Sequence, residues 1–114
     1  MNSTVDLKAL ERIRQLNDRF RTTDIGGRVM LTRGFVALSA STKARALEAI
    51  KTFDAWDSGN DPHGEHDFVG VEVDGEKIFA KMDYYDAAMR CGSEDPTDPK
   101  KTTRVLTIMR ADEY

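Results

Sequence analysis

A chain of 114 residues has the length of one domain and can bury about two thirds of its unfolded surface without a metal or a disulfide. Its 39% hydrophobic and 32% charged residues exclude a disordered polypeptide, and no stretch is long enough to span a bilayer. A net charge of -3, a single Cys91 that rules out an internal disulfide, and an N-terminus interrupted by Asp6, Lys8, Glu11 and Arg12 point to a cytoplasmic protein without a signal peptide.

In chain order, Ser3 or Thr4 can cap a helix whose apolar positions Leu7, Leu10, Ile13, Leu16 and Phe20 recur three or four apart. Arg12, Arg14, Arg19 and Arg21 lie off that stripe and give the helix a basic surface. Asp24 to Gly27 has turn composition, and Arg28 to Arg33 has the character of a short strand broken by Gly34. A second helix is expected over Ala40 to Phe53, with Ala44, Leu47, Ile50 and either Phe53 or Asp54 facing inward. Residues 54–64, DAWDSGNDPHG, are dense in turn formers and form a loop, in which Trp56 is expected to cover the edge of the core.

Glu65 to Asp86 is the stretch around which the rest is organised. Two alternating segments meet at Asp74-Gly75, a pair that tolerates the positive φ angles of a type I′ turn. The register then follows: Val73 faces Glu76, Val71 faces Ile78, Val69 faces Ala80 and Asp67 faces Met82. That face is mostly apolar and belongs to the core, while the other carries Glu72 across from Lys77, Gly70 from Phe79, Phe68 from Lys81 and His66 from Asp83. Phe79 is expected to cover Gly70, and Lys81 to sit on the Phe68 ring. After a loop over 87–101 that contains Pro96 and Pro99, Thr103 to Arg110 should form a third long strand beside one arm of the hairpin. The whole is expected to be one α+β domain over residues 1–114: two helices packed on one face of a small, mostly antiparallel sheet with the hairpin at its centre.

Chemistry is expected at the open end of that hairpin. His66 opposite Asp83 would place an imidazole and a carboxylate in hydrogen-bond reach, as general acid-base catalysis requires, and as a sheet also does with a half-buried histidine. Glu65, Asp67, Lys81, Tyr85 and Asp86 stand near the pair, without an evident nucleophile. Asp61, His63, Glu65, His66, Asp67 and Asp83 include residue types that ligate zinc, with His63 and His66 as the two nitrogen donors. Their spacing matches no specific metal motif, and no cofactor is expected. Charge distribution adds a further clue. Residues 1–51 hold ten Lys or Arg against five acids, and eight acids lie between Thr52 and Glu76 with no Lys or Arg. Such a chain can offer an acidic surface to a basic partner, or its halves can neutralise each other.

The blocks NDRFR at 17–21, GGRVMLTRG at 26–34, NDPHGEHDF at 60–68, KMDYYD at 81–86 and TTRVLTIMRADEY at 102–114 together resemble an uncharacterised bacterial domain family of unknown function. The resemblance covers nearly the whole chain and implies a small stand-alone protein of plasmids and other mobile elements, with no catalytic residue, substrate or cofactor attached. Members of that family can carry Tyr at the position of His63, so the Glu65-His66-Asp67 and Asp83 to Asp86 blocks carry the match. Three functions are then weighed. The first is a non-enzymatic binding protein acting on a protein partner, such as a host defence component (an anti-restriction or anti-CRISPR inhibitor), through an acidic and aromatic surface of Trp56, Glu65, His66, Asp67, Phe68, Lys81, Asp83, Tyr85 and Asp86. The second is nucleic-acid binding through Arg12, Arg14, Arg19 and Arg21, with Arg28 and Arg33. The third is a small enzyme or metal protein using His66 and Asp83.

Overall fold

The computed structural model describes the backbone of residues 3–114 and the side chains of residues 7–114. Its elements are helix α1 (Ser3–Thr23), strand β1 (Gly27–Leu31), the single-turn helix α2 (Arg33–Val36), helix α3 (Ala40–Thr52), strands β2 (Phe68–Val73), β3 (Glu76–Asp86) and β4 (Thr102–Arg110), and a 3₁₀ turn over Ala111–Glu113. The strands make one sheet in the order β1-β4-β3-β2, antiparallel except for the parallel β1–β4 pair. This is the α+β, mostly antiparallel architecture expected, with one helix more than the sequence suggested and with the hairpin at one edge of the sheet, β2 outermost, rather than at its centre. No described helix is long and apolar enough to cross a membrane.

The hairpin forms in the predicted register, from Val73 opposite Glu76 to Phe68 opposite Lys81. Asp74 and Gly75 both have positive φ, 54° and 77°, as a type I′ turn demands. The turn is tied to α3: the Asp74 carboxylate accepts from Thr42 Oγ1 at 2.7 Å and pairs with Arg45, and these two partners hold its pKa below the ordinary carboxylate range. Val69, Ile78, Ala80 and Met82 enter the core with Leu106 and Ile108 of β4 and with Phe20, Phe35, Ala46 and Ile50 from the helices. On the outer face the Phe79 ring does cover Gly70, where an added Cβ would meet it at 3.5 Å. Phe68, Phe79 and Tyr114 gather there with ring centroids 4.9 to 5.8 Å apart.

Three local expectations need correction. In α3 the buried residues are Thr42, Ala46 and Ile50, with Leu47 and Phe53 half-buried; Ala44 is exposed, because the helix is rotated to bring Thr42 over Asp74. In α1, Phe20, Asn17 and Arg21 are buried, whereas Leu7 is 59% exposed. A helix of 21 residues is about 30 Å long and outruns the core beneath it. The Ser3 or Thr4 cap involves side chains outside the described residues. Strand β1 stops at Leu31 rather than Arg33, because Thr32 caps α2 by accepting from Phe35 N at 3.3 Å. Gly34 is part of that helix, not a break. Its N–H and the Thr32 hydroxyl both donate to the Glu113 carboxylate, which a Cβ on Gly34 would strike at 2.5 Å.

Candidate functional site

The loop between α3 and β2 (residues 53–67) builds two sites that face opposite ways. On the helix side, His66 adopts a left-handed backbone, φ 56°, and swings toward α1. Its Nδ1 lies 2.8 Å from Asp18 Oδ1, and its Nε2 lies 3.5 Å from Asp61 Oδ2. Because a carboxylate only accepts, Nδ1 carries a proton. The ring stacks on Trp56, centroids 3.9 Å apart and planes 6° apart, and Trp56 meets Phe53 edge-on at 4.7 Å. Arg21, only 4% exposed, completes the cluster. Its guanidinium donates to Asp18 at 3.1 Å, lies 5.3 Å from the Trp56 ring centre, and caps the end of α3 by donating to the carbonyls of Ile50, Lys51 and Phe53.

A second buried network joins α1 to β3 and β4. Asn17, fully buried, accepts from Arg104 Nε at 2.7 Å and donates to Glu65 C=O at 3.0 Å and to the Tyr84 hydroxyl at 2.7 Å. Tyr84 in turn donates to the Glu65 carboxylate at 2.7 Å. Burial and that bond push the phenol pKa well above its ordinary value, so it acts as a fixed donor. The Arg104 guanidinium lies 5.2 Å from the Tyr84 ring centre and also reaches the Pro96 carbonyl.

On the other side of the loop lies a cleft of about 660 Å³. Asn60, Pro62 and His63 form its loop wall, and Asp67, Phe68, Lys81, Met82, Asp83, Tyr84 and Tyr114 form the rest. Lys81 Nζ is 3.5 Å from Asp83 Oδ1, so the one lysine of the cleft already has a counterion. Asp67 is different. Its carboxylate accepts from its own backbone N–H, and burial followed by the nearby Glu65 charge holds its pKa above the ordinary carboxylate range against the smaller opposing effects of that bond and of His63. A half-buried carboxylate without a side-chain partner in a partly aromatic cleft is an arrangement that favours a cationic ligand.

The predicted site residues therefore divide. Asp67, Phe68, Lys81 and Asp83 are brought together in the cleft. His66 does not face Asp83: the β2–β3 ladder ends with Met82 N–H donating to Asp67 C=O at 2.8 Å, and the left-handed turn at His66 carries its ring to Asp18. The proposed base-orienter pair is thus absent, and His63 and His66 are separated, one in the cleft wall and one beneath the loop. Among the described residues no group of three or more His, Cys, Asp or Glu could hold a metal ion. Trp56 and Glu65 serve the internal networks. Asp86 accepts from Arg90 N at 2.9 Å and the Cys91 thiol at 3.0 Å, bonds that lower its pKa and fasten the turn after β3. Tyr85 lines a different recess with Arg28, Met30 and Met89. Lys81 pairs with Asp83, and Phe68 packs on Phe79 and Tyr114 rather than under an ammonium. Of the basic helix residues, Arg21 is buried and Arg14 donates to Gly64 C=O at 3.2 Å, which leaves Arg12 and Arg19 exposed.

Sequence reasoning missed Asn17, Asp18, Tyr84, Arg104 and Tyr114. Tyr84 could have been found, since the register that put Met82 on the core face also puts Tyr84 there. Asn17 sits one turn before Phe20 on the buried stripe, where an amide signals a buried polar contact. Residues 31–113 match the family described as "Protein of unknown function (DUF3768)". The matched span holds the cleft apart from Tyr114 and leaves out α1, which supplies Asn17, Asp18 and Arg21 to the internal networks. No curated protein and no solved structure matches the chain.

Proposed function

The chain belongs to the DUF3768 family of proteins of unknown function, and within it we propose a non-enzymatic binding protein that engages a protein partner through the cleft at the open end of the hairpin. The observation that carries this reading is the Asp67 carboxylate, held without an outside partner among aromatic walls. The His66 ring is engaged by Asp18 and Asp61 and does not meet Asp83, which favours binding over proton transfer. A component of a host DNA-targeting defence system is the partner class we propose. That narrower form leans on the mobile-element setting implied by the resemblance and on the acid-rich segment from Thr52 to Glu76. To test it, a photo-crosslinking amino acid placed at Tyr114 should trap one protein in a bacterial host, and Phe68→Ala with Asp67→Lys should abolish the capture. Expression of the chain should also raise plating of a restricted or CRISPR-targeted phage. Capture that ignores the cleft substitutions would overturn the site, and unchanged plating against a panel of restriction and CRISPR systems would overturn the partner class.

A further inference from the structure

The hydrogen-bond ladder on the β2 side of β3 has a one-residue gap where the cleft opens. Met82 N–H donates to Asp67 C=O at 2.8 Å, and Ser93 N–H donates to Tyr84 C=O at 3.0 Å, so both residues turn their backbone groups to that side. Alternation then directs the Met82 C=O and the Tyr84 N–H the same way. Neither has a hydrogen-bond partner among the described residues. The gap has a clear origin. At one end the left-handed residue His66 leads the chain off the ladder before a return bond to Met82 can form, and at the other the segment after the β3 turn pairs only through residues 91–93 before Asp95-Pro96 departs.

A carbonyl on one residue and an amide two residues later are the pair of groups that hold a single residue of a parallel strand. Met82 and Tyr84 line the same cleft as Asp67, Phe68 and Tyr114. The cleft thus offers a backbone acceptor and donor at its floor, a carboxylate without a side-chain hydrogen bond beside them, and ring faces that attract cations. Its lysine is held by Asp83, so charge complementarity selects a basic ligand over an acidic one. We propose that the cleft seats an extended segment of a partner protein, one residue of which fills the gap between Met82 C=O and Tyr84 N–H while an Arg or Lys side chain of that segment pairs with Asp67. The proposal rests on the reading of the cleft as the binding site and names its ligand.

N-acetyl-arginine N-methylamide is a minimal probe, carrying two amides and a guanidinium, and its norleucine analogue keeps the amides and an alkyl chain but lacks the guanidinium with its charge and N–H donors. Titrated into the ¹⁵N-labelled protein, the arginine probe should give saturable shifts centred on Asp67 and Met82 to Tyr84 and should slow exchange of the Tyr84 amide. Asp67→Asn should weaken it at least fivefold, to the level of the norleucine probe, with Asp67→Ser as a second variant giving the same result. Equal binding of both probes at these residues would overturn the basic preference and leave the cleft as a binding site. Arginine binding unchanged by both Asp67 substitutions would overturn the seat on Asp67. Shifts spread without saturation over the acidic loop, or none from either probe, would overturn the proposal and the cleft together.

Discussion

His66 and Asp67 are neighbours in sequence and opposites in the fold. The His66 ring is enclosed by Asp18, Asp61 and the Trp56 face, and its backbone N–H is bound by Asp61 at 3.1 Å. Asp67, one residue on, lines a cleft where no side chain hydrogen-bonds its carboxylate and His63 opposes its charge only weakly. Both are polar and half-buried, so burial alone does not separate them. Completeness of partners does. A half-buried polar group met by side chains of another element fixes the loop on the helix, whereas one bonded only by its own backbone N–H is open to a ligand.

That contrast can be broken or sharpened by substitution, beginning with the helix-side networks. Asn17→Ala strips partners from Arg104, Tyr84 and Glu65 at once and should cost about 3 to 4 kcal/mol in urea unfolding. His66→Ala leaves Asp18 and Asp61 facing each other's charge and unstacks Trp56. A loss of about 2 to 3 kcal/mol is expected, with quenched or red-shifted Trp56 fluorescence reporting a loosened loop. If His66→Ala unfolds with the wild-type midpoint, the helix side is no more structural than the cleft and the comparison collapses. Tyr84→Phe removes one hydroxyl that donates to Glu65 and accepts from Asn17, and should cost about 1 to 2 kcal/mol.

Asp67→Asn should have the smallest effect and the opposite sign, neutral or stabilising by up to about 1 kcal/mol at pH 7. The pH dependence follows from linkage. In the folded protein the Asp67 pKa is raised, so between the unfolded value, about 4, and the higher folded value the native state binds more protons than the unfolded one. Stability from this group is therefore complete below the unfolded pKa and is lost as pH rises through the folded pKa. The melting-temperature advantage of Asp67→Asn over wild type should accordingly shrink as pH is lowered toward 4. An advantage that grows on acidification would mean that the folded carboxylate is stabilised by a partner, contrary to its isolation in the cleft.

Much of this was legible in the residues. Asp74-Gly75 set the turn, the turn set the register, and alternation sorted Val69, Ile78, Ala80 and Met82 from Phe68, Phe79 and Lys81. At the open end of the hairpin, four of the nine expected binding residues, Asp67, Phe68, Lys81 and Asp83, line one cleft. The His66 and Asp83 pairing failed because it extended ideal strand geometry two residues too far. One left-handed residue inverts the direction of a side chain, and local sequence cannot announce it when the residue is a histidine rather than a glycine. The arginines of α1 were misplaced for a related reason. Off-stripe positions were taken as solvent-facing, yet Arg21 fills the unsatisfied end of α3, a partner 29 residues away that only packing brings near.

By itself, then, the sequence determined what depends on short-range chemistry: a type I′ hairpin, the two long helices and a polar concentration near residue 66. Periodicity and turn preference act over a few residues and survive any tertiary arrangement. Only the fold decided which polar groups are answered and which are not. His66 and Asp67 acquire opposite fates because Asp18 comes from a helix 48 residues earlier, and because the ladder beside Tyr84 stops one residue short of closing the cleft.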